Sequence, residues 1–163
     1  MDYSYLLDLA KDPRTSPEVL LNLAHSVYWV VRKYVADNPK CPPEALSILA
    51  GDENVSVRSS VAYNTRTPLE DLRRLAKDGR SAVRLEVANN TKTPPEALRE
   101  LAGDFYESVK NYVAQNPNTP PDVLMEFAGG KSTFHRRAIV RNPNATEDAI
   151  MLAKALDFIQ YYG

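Results

Sequence analysis

The chain has little of what builds stapled, metal-bound or membrane-spanning proteins. Of its 163 residues one is cysteine and two are histidine. Cys41 therefore cannot close an internal disulfide, complete a four-thiolate zinc site or hold a cysteine-ligated iron–sulfur cluster, and such cysteine usage fits a reducing compartment. Long hydrophobic runs are missing too. No stretch approaches the roughly 20 apolar residues that span a bilayer, and Met1-Asp2-Tyr3-Ser4-Tyr5 carries no positive charge ahead of an apolar run. The expectation is a soluble, cytoplasmic protein without a membrane partner. Charge of one sign is also absent: 20 basic and 21 acidic side chains leave a net charge of -1, which excludes the global basicity of proteins that live on phosphate backbones but leaves room for a local basic strip. No segment alternates apolar and polar residues with period two, so no sheet is expected. Nucleophile elbows and metal-binding histidine pairs are absent, and Gly129-Gly130-Lys131-Ser132 lacks both the first glycine and the preceding strand of a phosphate loop.

What the chain has is a repeat, with 44% apolar residues to fill its interior. Rows of 26 residues place Asn38, Asn64, Asn90, Asn116 and Asn142 in one column, headed by Asp12. Pro17, Pro43, Leu69, Pro95 and Pro121 form another, each followed by Glu or Asp. Leu20, Leu46, Leu72, Leu98, Leu124 and Ile150 align, as do Leu23, Leu49, Leu75, Leu101 and Phe127, each of the last five followed by alanine. The second half reads Val-Arg-x-x-Val-Ala-x-Asn over Val31 to Asn38, Val57 to Asn64 and Val83 to Asn90, with Lys110 for Arg one row on.

Each row reads as two helices. Asn116-Pro117-Asn118-Thr119 has type I turn chemistry, with Asn first and Pro pre-set second. Thr93-Pro94-Pro95-Glu96 offers a capping Thr, prolines where no donor is lost, and a Glu placed to close a capping box. The stripe Leu98, Leu101 and Ala102 defines the first helix. Asp52, Asp78 and Asp104 mark the loop, and Val57, Val61 and Ala62 stripe a second, shorter helix, α or partly 3₁₀, ended by the next Asn. One hairpin cannot cover its own apolar face, so the rows stack into a continuous core. The expected organisation is a single repeat domain over 1–163: an N-terminal capping helix at 1–11, five full repeats over 12–141, and a half repeat with a capping helix at 142–163.

These residues resemble the leucine-rich repeat variant family, whose units read much like the Asn-Pro-x-Thr-Pro-x-Glu-x-Leu-x-x-Leu-Ala and Val-Arg-x-x-Val-Ala found here, over about residues 6 to 153. The resemblance implies an all-α, right-handed superhelical solenoid of alternating α and 3₁₀ helices, related in shape to HEAT and armadillo arrays. Some family members carry a cysteine-rich iron–sulfur module ahead of the repeats. One cysteine cannot supply it, so architecture carries over and no cofactor does.

Candidate sites separate by column. Arg32, Arg58, Arg84, Lys110 and Arg136 recur, and at 100° per residue the Arg58 direction lies about 40° from the buried centre of its helix. Asp52, Asp78 and Asp104 precede Arg58, Arg84 and Lys110 by six residues, so internal pairing is expected. Arg32 and Arg136 have Ser26 and Gly130 at that spacing and are therefore expected to be free for a ligand. Positions equivalent to 59, 60 and 63 should face solvent and vary between rows: Lys33, Tyr34 and Asp37; Ser59, Ser60 and Tyr63; Leu85, Glu86 and Asn89; Asn111, Tyr112 and Gln115; Arg137, Ala138 and Arg141. Variation there fits either an extended binding wall or plain solvated surface. Tyr28 and Trp29 sit in an apolar inter-helix segment and either pack on the N-terminal helix or anchor a partner; Phe105-Tyr106 is weighed the same way. His135 occupies a valine column, as a functional imidazole or beside a Phe134 that takes over the apolar role. Cys41 takes the Thr capping column as a poor substitute cap.

The resulting expectation is a non-catalytic scaffold that binds a protein or peptide through Tyr28, Trp29, Arg32, Lys33, Tyr34, Tyr63, Tyr112, Arg136, Arg137 and Arg141, without cofactor or metal. The alternative is a HEAT-like nucleic-acid binder, with a DNA-glycosylase-like activity as one form of it. Phe158, Ile159, Tyr161 and Tyr162 suggest a monomer or weak self-association through the C-terminal end.

Overall fold

The computed structural model describes residues 2–162; the side chains of Tyr161 and Tyr162 lie outside the described residues. Among the described residues every regular element is a helix. α1 spans Tyr3–Lys11, and the rows then supply α2 (Pro17–Leu23), α3 (Trp29–Asp37), α4 (Pro43–Leu49), α5 (Val55–Tyr63), α6 (Leu69–Leu75), α7 (Ser81–Asn89), α8 (Pro95–Ala102), α9 (Glu107–Gln115), α10 (Pro121–Gly129) and α11 (Thr133–Ile139), before α12 (Glu147–Tyr162).

Prolines set the first helix of each row. Pro42 and Pro94 stand extended, with ψ of 151° at both, because each precedes a second proline that disfavours helical geometry. The following Pro then opens the helix, where its missing N–H costs nothing. The helix ends on a tightened turn, as in the bonds from Gly51 N–H to the Ile48 carbonyl (3.3 Å) and from Asp52 N–H to the Leu49 carbonyl (3.1 Å). This reverses the expected lengths in the first four rows. The second helices α3, α5, α7 and α9 are α-helices of nine residues, whereas α2, α4 and α6 have seven and α8 has eight; in the fifth row α10 has nine and α11 seven, as expected. The 3₁₀-type bonds close the first helix instead of building the second, since extended prolines take the residues that would lengthen its start.

The aligned columns form the core. Leu20, Leu46, Leu72, Leu98 and Leu124 are fully buried, as are Val31, Val35, Val57, Val61, Val83, Val87, Val109 and Val113. The two helical layers pack unequally. α1, α3, α5, α7, α9 and α11 lie in close succession, while neighbouring first helices touch only lightly. The closer layer is the inner side of any curvature in the stack, so the second helices form its inner wall. A helix with a neighbour on each side exposes less than its isolated wheel suggests. Ser60 is buried, and Tyr34, Glu86, Tyr112 and Ala138 in the same column are half-buried, contrary to the solvent-facing expectation.

Two polar columns tie the rows together. The Asn90 side-chain amide donates to the Ala62 carbonyl (2.7 Å) and the Asn64 carbonyl (3.1 Å) of the preceding row, while its Oδ1 accepts from Lys92 N–H (2.8 Å). Asn64 reaches Ala36 (2.7 Å), Asn116 reaches Ala88 (2.7 Å) and Asn142 reaches Ala114 (2.9 Å) in the same way. Thr93 is not the helix cap expected of it. Its buried hydroxyl donates to the Val87 carbonyl (2.5 Å), Thr67 does the same to Val61 (2.5 Å), and Pro94 occupies the cap position without a side-chain bond. Replacing Thr93 by Val keeps the volume and strands that carbonyl, so an unfolding titration should show a loss of about 1–3 kcal/mol. A neutral result would return Thr93 to a turn-filling role.

Candidate functional site

The recurring arginines form a ladder, in a different register from the one expected. Arg58 Nε and Nη2 hold Asp78 of the following row at 2.6 and 3.2 Å, and Nη1 donates to the Asp52 carbonyl at 2.7 Å. Arg84 holds Asp104 (2.5 and 3.0 Å), and Arg32 holds Asp52 (2.5 and 2.9 Å). The partner carboxylate therefore lies one row ahead; the residue six positions back contributes only its carbonyl. Each aspartate also accepts from the N–H two residues on, as Asp78 does from Arg80 (2.9 Å), so one side chain shapes its own turn and receives the neighbouring row's cation. Lys110 has Gly130 at the matching position and pairs instead with Glu107 (2.6 Å).

Arg32 and Arg136 are accordingly not free. Arg136 is 3% exposed; it binds Asp157 of α12 (2.5 Å), Gln160 and the Gly130 carbonyl (2.7 Å), which closes the ladder at its last row. Counting six residues back could not reveal this, because the partners stand some twenty residues forward in sequence.

The inner wall keeps one column exposed in all five rows: Asp37, Tyr63, Asn89, Gln115 and Arg141. Tyr63 borders two adjoining grooves of about 460 and 360 Å³ that both include Asp37; the second also includes Lys33, Ser59 and Glu86. Lys33 pairs with Asp37 (2.6 Å), and Lys11 and Lys33 lie 4.6 and 5.0 Å from the Tyr34 ring centre, so Tyr34 is packed beneath cations. At the far end Gln115, Phe134, Arg137 and Arg141 line a third groove of about 500 Å³. Of the expected site residues the wall thus brings together Lys33 with Tyr63, and separately Arg137 with Arg141. Asn89, Glu86 and Gln115 lie on the same wall, and their failure to repeat was the available signal.

Tyr28 and Trp29 stand apart from it. Tyr28 meets Tyr3 of α1 edge-on, with ring centres 4.9 Å apart, and faces an apolar groove with Tyr5, Leu6, Leu9 and Val27; Trp29 is half exposed. Tyr106 stacks edge-on against Phe105 at 5.3 Å, under the Arg84 guanidinium. On α12, Met151, Phe158 and Ile159 are exposed.

His135 fills the valine column itself. It is buried, stacks on Phe127 with ring centres 4.5 Å apart, and puts Nε2 at 3.3 Å from Glu107 Oε1 without a hydrogen bond; Phe134 stays exposed. Burial lowers its pKa, opposed by the charge of Glu107 and reinforced by Lys110. Cys41 is also buried, with its thiol pushed up to about 12, an environment that suits packing and not nucleophilic attack. Groups of three or more His, Cys, Asp or Glu side chains able to hold a metal are absent among the described residues. No helix there is long and apolar enough to cross a membrane.

Residues 29–54, which run from α3 through the end of α4, match the family model for the leucine rich repeat variant. A solved structure described as a leucine-rich repeat variant with a novel repetitive structural motif aligns with 87% of this chain and 72% of its own, at 24% identity and a TM-score of 0.52. The fold is that of a leucine-rich repeat variant. No curated protein matches the chain. In this helical array the segment that matches the family model spans one Arg-to-Asp rung, Arg32 to Asp52.

Proposed function

We propose that the array is a non-catalytic scaffold whose inner wall binds a protein or peptide partner. The exposed column carries this reading: Asp37, Tyr63, Asn89, Gln115 and Arg141 are open in every row and differ in every row, while the neighbouring Asn, Thr and Arg columns repeat and are engaged in holding rows together. Tyr63, 62% exposed, offers a large contact surface with few rotors to order. Nucleic acid is the weaker reading, because Arg32 and Arg136 are committed to carboxylates and Lys33 to Asp37. Self-association through α12 would appear as concentration-dependent light scattering.

The test is affinity capture from native extract with the wild-type chain, with a Tyr63→Ala/Asn89→Ala/Arg141→Ala variant, and with Glu18→Ala on the outer layer as control. Specific partners should be lost only with the inner-wall variant, whose unfolding midpoint should stay near wild type. Equal capture by all three proteins overturns the reading. Binding to a DNA or RNA oligonucleotide that falls steeply with salt would favour the nucleic-acid reading.

A further inference from the structure

The turns along one edge of the inner wall hold a column of cations, which bears on the chemistry of the peptide proposed above; the following rests on that reading. Arg14, Lys40, Arg66 and Lys92 stand at the same place in four successive turns, and all are exposed. In each turn the side-chain oxygen two residues back accepts the backbone N–H of the cation: Asp12 from Arg14 (2.8 Å), Asn38 from Lys40 (2.9 Å), Asn64 from Arg66 (2.9 Å) and Asn90 from Lys92 (2.8 Å). One turn geometry therefore launches all four side chains alike. What differs is the charge of the accepting residue. Asp12 also takes the Arg14 guanidinium, at 3.1 and 3.0 Å, and neutralises it. The later rows have a neutral amide there, and Lys40, Arg66 and Lys92 make no ion pair among the described residues; the carboxylate near Lys40 is Asp12, already held by Arg14. Arg66 is also fixed in place. Its Nε donates to the Cys41 carbonyl of the preceding turn (3.1 Å), which leans the guanidinium toward the turn of Lys40 and leaves both Nη atoms without a hydrogen bond among the described residues. Pro39, Thr65 and Thr91, each just before one of these cations, line the groove of about 460 Å³ together with Tyr63 and Asn89. Unpaired cations thus flank that groove at three successive rows, while Asp37 within it is paired with Lys33.

We infer that the partner segment is an acidic peptide, extended across the rows beside Tyr63, that sets one carboxylate on each of Lys40, Arg66 and Lys92. Ammonium and guanidinium groups at a fixed spacing select carboxylates at the same spacing. Neighbouring packed helices stand about 8–10 Å apart and extended chain covers about 3.3–3.6 Å per residue, so the carboxylates should be about two to three residues apart. A peptide can put an uncharged residue past Asp37, which a nucleic-acid strand with a phosphate at every nucleotide does not do.

Panning a display library of random dodecapeptides on the full chain tests this. Enriched sequences should repeat Asp or Glu at that interval, and a synthetic peptide of the enriched sequence should bind more weakly as salt rises. Lys40→Asn/Arg66→Asn/Lys92→Asn gives these turns the residue that Asn118 and Asn144 supply in later rows. There the amide donates to the Thr93 and Thr119 carbonyls (3.3 and 2.7 Å), the place that Cys41 holds for Arg66, so the fold should be kept. This variant should bind the peptide about tenfold more weakly at low salt, with a urea midpoint near wild type. Asp12→Asn keeps the turn acceptor and frees Arg14, so a peptide that continues the acidic interval by one step at each end should bind it about threefold more tightly than wild type. A library that enriches nothing, enriched sequences without the acidic interval, or an acidic peptide held equally by wild type and the triple variant would overturn the inference. So would a DNA or RNA oligonucleotide that loses affinity in the triple variant while no acidic peptide is enriched. Loss of captured partners in the Tyr63→Ala/Asn89→Ala/Arg141→Ala variant alongside such a result would leave the inner wall as the binding face and remove only the acidic chemistry of its occupant.

Discussion

Asn90→Asp should destabilise the fold more than any single surface change, by about 3–5 kcal/mol, because it aims a buried carboxylate at two carbonyl oxygens. The amide it replaces donates to Ala62 and Asn64 and accepts from Lys92, so both the stacking of rows and the turn depend on it. Asn90→Ala should cost about 3 kcal/mol, since it leaves those groups without partners. Asn89→Ala, one residue away on the exposed column, should stay within about 0.5 kcal/mol. Urea unfolding followed by helical circular dichroism reads all three. A loss below about 1 kcal/mol for Asn90→Ala would mean that water replaces the asparagine without penalty.

Asp78→Ala is the second large effect. It strands Arg58, whose side chain is 18% exposed, in a site built for a bidentate partner. Breaking a buried pair from one side costs about 3–5 kcal/mol, and partial exposure here places the expectation at the lower end. The Arg58→Met/Asp78→Leu double variant should recover most of the loss, because two apolar side chains leave no charge unpaired. If single and double variants lose equally, packing and not charge explains the column.

The same ladder sets an acid limit. For Asp78, burial pushes the carboxyl up, but the Arg58 hydrogen bond, the Arg80 N–H and the nearby guanidinium charges outweigh it and hold the group below its ordinary value; Asp52 and Asp104 behave alike. A carboxyl lowered by folding stabilises fully above its unfolded value, near 4, and loses that contribution as pH falls through the folded value. The urea midpoint should therefore hold steady from neutral pH to about 5 and then decline below about 4. In the Arg58→Met/Asp78→Leu variant the decline should be shallower. An identical acid limb in both proteins would assign it to other carboxylates.

Part of the candidate wall was legible because a repeat supplies its own controls: Asp37, Tyr63, Asn89, Gln115 and Arg141 differ from row to row where the packing columns agree. An angular count treats each helix as isolated and so leaves Tyr34 and Tyr112 open, whereas adjacent rows cover their column. His135 looked displaced from the core by Phe134, yet its ring takes the valine slot against Phe127, and only the local path of 129–134 could choose between the two.

Period, helix positions, turn chemistry and the identity of the core columns were set by the sequence itself, because each depends on residues close along the chain and is repeated row after row. The tertiary structure decided which row each polar side chain addresses: Arg58 forward to Asp78, Asn90 back to Ala62, Arg136 out to α12. Those choices rest on the rise and stagger between rows, distances that a one-dimensional pattern does not contain. The same stagger leaves Tyr63, Asn89 and Arg141 facing outward from the inner wall.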